Sequence, residues 1–155
     1  MANHMDHEIF DKRIYQKRPL VGVGVLIKKG DKYLLVKRAA EPDTNLWTIP
    51  GGLVELGEKV AEAAKRMALK ETGLEVEIIE MLEITNKIVK DEASRIRFHL
   101  IIIVYLAKIK GGVLTPSSTT TDARWVKADE ISNYEMPKTF KDLIVKLHSR
   151  HMVTK

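Results

Sequence analysis

The sequence contains no cysteine. Disulfides, thiolate nucleophiles and thiolate metal sites are therefore all excluded, and a reducing, cytoplasmic setting is expected. Aromatic residues are few: three Phe, four Tyr and two Trp. No basic run is interleaved with them, so a base-stacking nucleic-acid surface is not expected. No apolar run approaches the roughly 18 residues that a membrane span requires. The longest, Leu100 to Ala107 (LIIIVYLA), has the length of a buried strand. The N-terminus is polar and carries no signal-peptide pattern. A Walker loop and a Ser-His-Asp arrangement are also missing, as are internal repeats and low-complexity linkers.

What is present fits one domain: 155 residues with 45% hydrophobic and 30% charged side chains. The net charge of +5 and pI near 9.3 favour anionic ligands such as nucleotides. Charges of both signs are interspersed, so solubility accounts for the excess more simply than a nucleic-acid surface does.

Residues 20–28 (LVGVGVLIK) and 33–38 (YLLVKR) read as a hairpin around Lys29-Gly30-Asp31-Lys32. Gly22 and Gly24 mark places where another backbone comes close. Ala39 to Asn45, with Pro42, is expected to be a loop, and Trp47 to Ile49 a short extended piece ended by Pro50-Gly51-Gly52. A helix is expected over 59–72, closed by Gly73 as its C-cap. Strands follow at 74–88 and 96–109, joined by a polar turn at 90–94. Residues 111–121 read as a loop, 124–126 as a short strand and 128–133 as a helical turn. Pro137 opens a last helix, 138–150, with Phe140, Leu143, Ile144 and Leu147 on one side. The order implies an α/β fold, a mixed sheet between helices. Residues 1–17 are expected to be an extension, and 18–150 the domain.

At about 100° per residue, Ala63, Met67, Val60, Glu71, Ala64 and Ala68 fall on one side of the first helix. Five of the six are apolar and belong against a sheet. A carboxylate among them needs a partner, such as a metal, Arg38 or Arg66, or else must escape to water from the last turn. Upstream, Pro50-Gly51-Gly52 allows close approach of backbone to a ligand. Glu55 and Glu58 suit the positive end of the helix dipole, but with Glu62 and Glu71 they also make an oxygen-rich set of the kind that suits Mg²⁺ or Mn²⁺. The expected substrate is then a phosphate compound.

The run from Gly52 to Leu74 resembles the box of the Nudix hydrolases, G-x5-E-x7-R-E-U-x-E-E-x-G-U. Gly52, Glu58, Arg66, Glu71, Gly73 and Leu74 match at the right spacing. Leu46-Trp47, the preceding hairpin and Asp122-Ala123-Arg124-Trp125 are also similar, so the resemblance covers about 18–150. It implies a MutT-like Nudix fold, a Mg²⁺- or Mn²⁺-dependent hydrolase and a nucleotide substrate.

The box is incomplete. Met67 and Lys70 replace two of its acidic residues, and Ala68 is smaller than usual. An ammonium about 4 Å from a metal site, at an effective dielectric near 20, opposes each unit of positive charge by on the order of 4 kcal/mol. A branch resembling GDP-mannose mannosyl hydrolase also lacks both acids, but it has a His and a Gln where this chain has Thr119 and Thr120. The proline typical of ADP-ribose pyrophosphatases downstream of the box is replaced near Val89-Lys90.

By this resemblance Gly51 (through its carbonyl), Glu58 and Glu71 are the expected metal ligands, and Asp122 the expected base. Arg66 orients Glu58 or Glu71. Arg38 either meets a diphosphate or pairs with Glu71 or Glu58. Trp47 stacks on a base or belongs to the core. Gly52 lies beside substrate. The expected function is hydrolysis of a nucleoside diphosphate linked to another group, a nucleotide sugar or ADP-ribose type. The alternative is a Nudix module that binds nucleotide without cleaving it, with Lys70 facing phosphate. A homodimer through the exposed hairpin edge is the expected assembly.

Overall fold

The computed structural model describes residues 13–115 and 117–153. Residues 1–12 of the expected extension, Pro116 and residues 154–155 lie outside them. Seven strands form one sheet: β1 (Leu20–Lys29), β2 (Lys32–Arg38), β3 (Trp47–Thr48), β4 (Gly51–Leu53), β5 (Leu74–Lys90), β6 (Ile96–Gly112) and β7 (Thr120–Lys127). Helix α1 (Val60–Thr72) and helix α2 (Lys138–Val153) flank it, with a 3₁₀ turn at Ala128–Asn133. The sheet order is β3-β2-β1-β6-β5, with β4 on β1 and β7 on β2. Only the β1–β6 pair is parallel among those described.

β1 is buried from Gly22 to Ile27 because both sheet faces are covered. On one face Val23, Val25 and Ile27 pack against Ala63, Ala64, Met67 and Ala68 of α1. On the other, Leu26, Leu35 and Leu106 pack with Phe140, Leu143, Ile144 and Leu147 of α2. The expected apolar stripes of both helices are therefore the buried ones. Gly73 ends α1 at φ 78°, its N–H bonded to the Leu69 carbonyl at 2.9 Å.

Three expectations change. Gly51 and Gly52 do more than end an extended piece: residues 51–53 are strand β4, paired with Gly22–Gly24. Glycine makes this possible, since a Cβ on Gly51 would lie 2.2 Å from the Val23 carbonyl oxygen. The loop expected at 111–121 is shorter at both ends, because β6 continues to Gly112 and β7 begins at Thr120 through its pairing with β2. Residues 13–17, expected in an extension, are tied to the sheet. The Tyr15 N–H bonds the Arg97 carbonyl at 2.8 Å and its hydroxyl bonds Asp91, also at 2.8 Å.

The two glycines of β4 differ in what a methyl group would meet. At Gly51 it is rigid main chain; at Gly52 it is the flexible end of Met67, with Cε at 2.3 Å. Gly51→Ala is expected to cost about 3 kcal/mol and Gly52→Ala about 1 kcal/mol, as read from urea denaturation midpoints.

Candidate active site

Glu71 is the only charged side chain among the described buried residues, 7% exposed. It sits in the last turn of α1 and does not reach water. Its Oε1 accepts the Gly51 N–H at 2.9 Å, and its Oε2 accepts the Thr119 hydroxyl at 2.8 Å. Two donors from separate segments thus satisfy the carboxylate, and neither is the arginine partner considered from sequence.

Arg66 clamps Glu58 instead. Its Nε donates to Oε2 at 2.7 Å, and a terminal nitrogen donates to Oε1 at 2.9 Å and to the Leu53 carbonyl at 2.8 Å. Glu58 Oε1 also accepts the Glu55 N–H at 3.0 Å. The Arg66 hydrogen bonds, aided by the Glu55 N–H, lower the Glu58 carboxyl to a pKa of about 2. This clamp fastens the loop before α1 to the helix and to β4. It also engages both Glu58 oxygens with a cation, whereas the Glu71 oxygens meet only neutral donors.

Met67 is buried, with its thioether over Gly52, so it fills space beside β4 as core. Lys70 is exposed in the last helical turn, where a cation suits the helix dipole. The side chain lies at the surface and is not among the residues lining the cleft beside Gly51. No group of three or more His, Cys, Asp or Glu side chains able to hold a metal occurs among the described residues.

A cleft of about 180 Å³ opens beside Gly51 and Gly52. Its walls bring Val23, Ile49, Leu100, Ile102 and Phe140 together with Arg13, Arg38 and Lys87. Apolar surface and cations thus share one concavity. Arg38 does not pair with Glu58. Its Nε donates to the Pro42 carbonyl at 2.5 Å and to the Ala40 carbonyl at 3.2 Å, so it braces its own loop. Burial lowers the Arg38 pKa, Arg13 adds to this, and Glu71 and Asp43 oppose it. Lys87 pairs with Asp43 at 2.6 Å across the cleft wall.

Two expected site residues lie elsewhere. Trp47 is buried in the core, edge-on to Tyr134 with ring centroids 5.3 Å apart, and is not among the cleft-lining residues. Asp122 is exposed on β7 opposite Lys37, 3.3 Å from the Arg124 guanidinium. The segment before β7 reaches Glu71 through Thr119. Its signal in the sequence was Thr119 and Thr120 standing where a similar branch has a His and a Gln. Arg13 and Lys87 had no sequence signal as cleft residues, since their placement depends on β6 and β5.

The Glu58 shift gives a signed pH dependence. A carboxyl with a lowered folded pKa contributes stability that is complete above its unfolded value, 4.5, and is lost as pH falls through about 2. Wild type is expected to exceed Glu58→Gln in stability at pH 6, and the difference should shrink between pH 4.5 and 2. Denaturant titrations across that range measure it.

Comparison with known proteins agrees with this architecture. A NUDIX domain model matches residues 18–147. An ADP-ribose pyrophosphatase of Methanocaldococcus jannaschii is 30% identical over 145 residues, covering 86% of this chain and 83% of that protein. A MutT-like protein of Streptomyces ambofaciens is 29% identical over 70% of this chain and 64% of its own length. Among solved structures, a NUDIX hydrolase from Nitrosomonas europaea superposes with a TM-score of 0.71 at 25% identity, covering 89% of this chain and 75% of that one. With the box helix, the sheet and the domain match in agreement, the chain belongs to the Nudix hydrolase family.

Proposed function

We propose that the protein hydrolyses a nucleoside diphosphate joined to another group, of nucleotide-sugar or ADP-ribose type, in the cleft beside β4. The observation that carries this reading is Glu71, a buried carboxylate held against Gly51 where that glycine forms the cleft wall. The apolar surface of Leu100, Ile102 and Phe140 suits a base or sugar face, and Arg13, Arg38 and Lys87 suit the diphosphate. The name of the Methanocaldococcus relative supports the same substrate class.

The residues present do not fit a divalent ion held by protein alone. Glu58 is occupied by Arg66, and Glu71 is a single carboxylate with each oxygen already accepting one hydrogen bond. They suit Mg²⁺ or Mn²⁺ only as part of a metal–diphosphate substrate, whose own oxygens fill most of the coordination shell. Such an ion supplies charge stabilisation on the diphosphate. The chain's part is to bind and orient: Arg38 fixes the loop beside the cleft, Arg66 fixes Glu58 and the loop before α1, the cleft cations meet the phosphate charge, and Glu71, held by the Gly51 N–H, would be the carboxylate offered to the ion.

A second reading, binding without cleavage, is favoured by one observation: Met67 fills the space over Gly52. Incubation with Mg²⁺ or Mn²⁺ and a panel of nucleotide sugars, ADP-ribose, dinucleoside polyphosphates and nucleoside triphosphates separates the two. On the hydrolase reading, wild type releases phosphate-containing products, and Glu71→Gln lowers kcat by about 100-fold or more. On the second, wild type binds a nucleotide without turnover, and turnover appears only in Met67→Glu with Lys70→Glu.

The hairpin edge expected to carry a homodimer is closed, because β1 also pairs with β4 and β6 and β2 with β3 and β7; we propose instead a homodimer with a second copy along β5. Among the described residues β5 pairs only with β6, and Ile84 and Ile88 on it are 59% and 51% exposed. Its first half carries Glu75, Glu77 and Glu83 and its second ends in Lys90, so the strand complements itself when a second copy runs antiparallel to it. Light scattering after size exclusion should give a dimer for wild type and a monomer for Ile84→Lys with Ile88→Lys. A monomeric wild type at 100 µM or about that, well above micromolar dissociation constants, removes the idea.

A further inference from the structure

Glu71 is buried, yet it lies in a last helical turn from which its side chain has the reach to escape to water. The device that holds it lies outside the helix. We propose that Thr119 is a positioning residue for Glu71, an inference that rests on Glu71 being the working carboxylate behind the Gly51 wall of the cleft.

An ionised carboxylate only accepts hydrogen bonds, so the 2.8 Å contact commits the Thr119 proton to Glu71 Oε2. The Thr119 oxygen is then left to accept, and Ser117 Oγ lies 3.1 Å away. Ser117 Oγ is in turn 2.9 Å from Oγ1 of Thr120, which is buried. Three hydroxyls therefore line up towards one carboxylate, each polarising the next. The main chain fixes where this series ends. The Ala39 N–H donates to the Thr119 carbonyl at 3.1 Å, and Thr120 pairs with Arg38, so the segment is anchored to the end of β2. The Gly51 N–H holds the other carboxylate oxygen from the opposite segment, β4. A carboxylate gripped at both oxygens by groups on separate strands has little freedom to turn. Thr119 is itself exposed, so replacing its hydroxyl with a methyl group removes the hydrogen bond and leaves the core intact.

The experiment compares wild type, Thr119→Val and Thr119→Ser by amide hydrogen exchange at Gly51 and Ala39, and by steady-state kinetics on whichever panel compound wild type cleaves. Thr119→Val is expected to lower Gly51 protection while Ala39, bonded to the residue 119 main chain, keeps its own. In the same variant kcat should fall about ten-fold or more with KM little changed, as for a misplaced group. Thr119→Ser should restore both. Unchanged Gly51 exchange in Thr119→Val overturns the proposal whatever the activity. Loss of protection at Ala39 as well as Gly51, with no recovery in Thr119→Ser, marks a loop-folding role and also overturns it. If wild type cleaves nothing on the panel, the hydrolase reading fails while Gly51 exchange still decides the role of Thr119.

Discussion

The arrangement around β4 depends on one satisfied charge. Glu71 enters the sheet-facing side of α1, where an unpaired carboxylate would cost several kcal/mol (about 3–5 by analogy with broken buried pairs). The Gly51 N–H and the Thr119 hydroxyl meet that demand. Each donor requires its own segment to be in place: β4 lying flat on β1, and the loop before β7 drawn in beside the end of β2. The carboxylate thus ties helix, glycine strand and loop together at the wall of the cleft.

Arg66 holds the other end of the same unit. Its contacts with Glu58, Leu53 and Glu55 fix the segment between β4 and α1 in relation to the helix. Glu58 therefore acts as structure, and Glu71 stands behind Gly51 of the cleft wall, whose own lining carboxylate is Asp43. Asp43 is engaged by Lys87, so on the proposed reading a divalent ion would take most of its ligands from the diphosphate. Met67 has the same logic in apolar form: it fills the volume over Gly52 and contributes packing to the α1 face.

Much of this was legible in the sequence. The α1 stripe, the Gly73 cap, the long strands ending near Lys90 and beginning at Ile96, and the α2 face around Ile144 follow from local periodicity and turn chemistry. Strand β4 was not legible, because three residues beginning with two glycines carry no alternation, and only the close approach to Val23 makes them a strand. Trp47 illustrates the same limit. As an aromatic next to the glycine turn it suited a stacking role or the core alike, and its pairing with β2 directs it into the core against Tyr134.

By itself the sequence determined the family, the helices and long strands, and the presence of one carboxylate on an apolar helical face, because each depends on spacing within a short stretch of chain. Tertiary structure decided which partners that carboxylate meets. Thr119 lies 48 positions from Glu71 and Gly51 lies 20 away, and neither distance leaves a mark on local pattern. It likewise brought Arg13, Arg38 and Lys87 to one cleft, since strand order, not sequence order, sets which side chains share a wall.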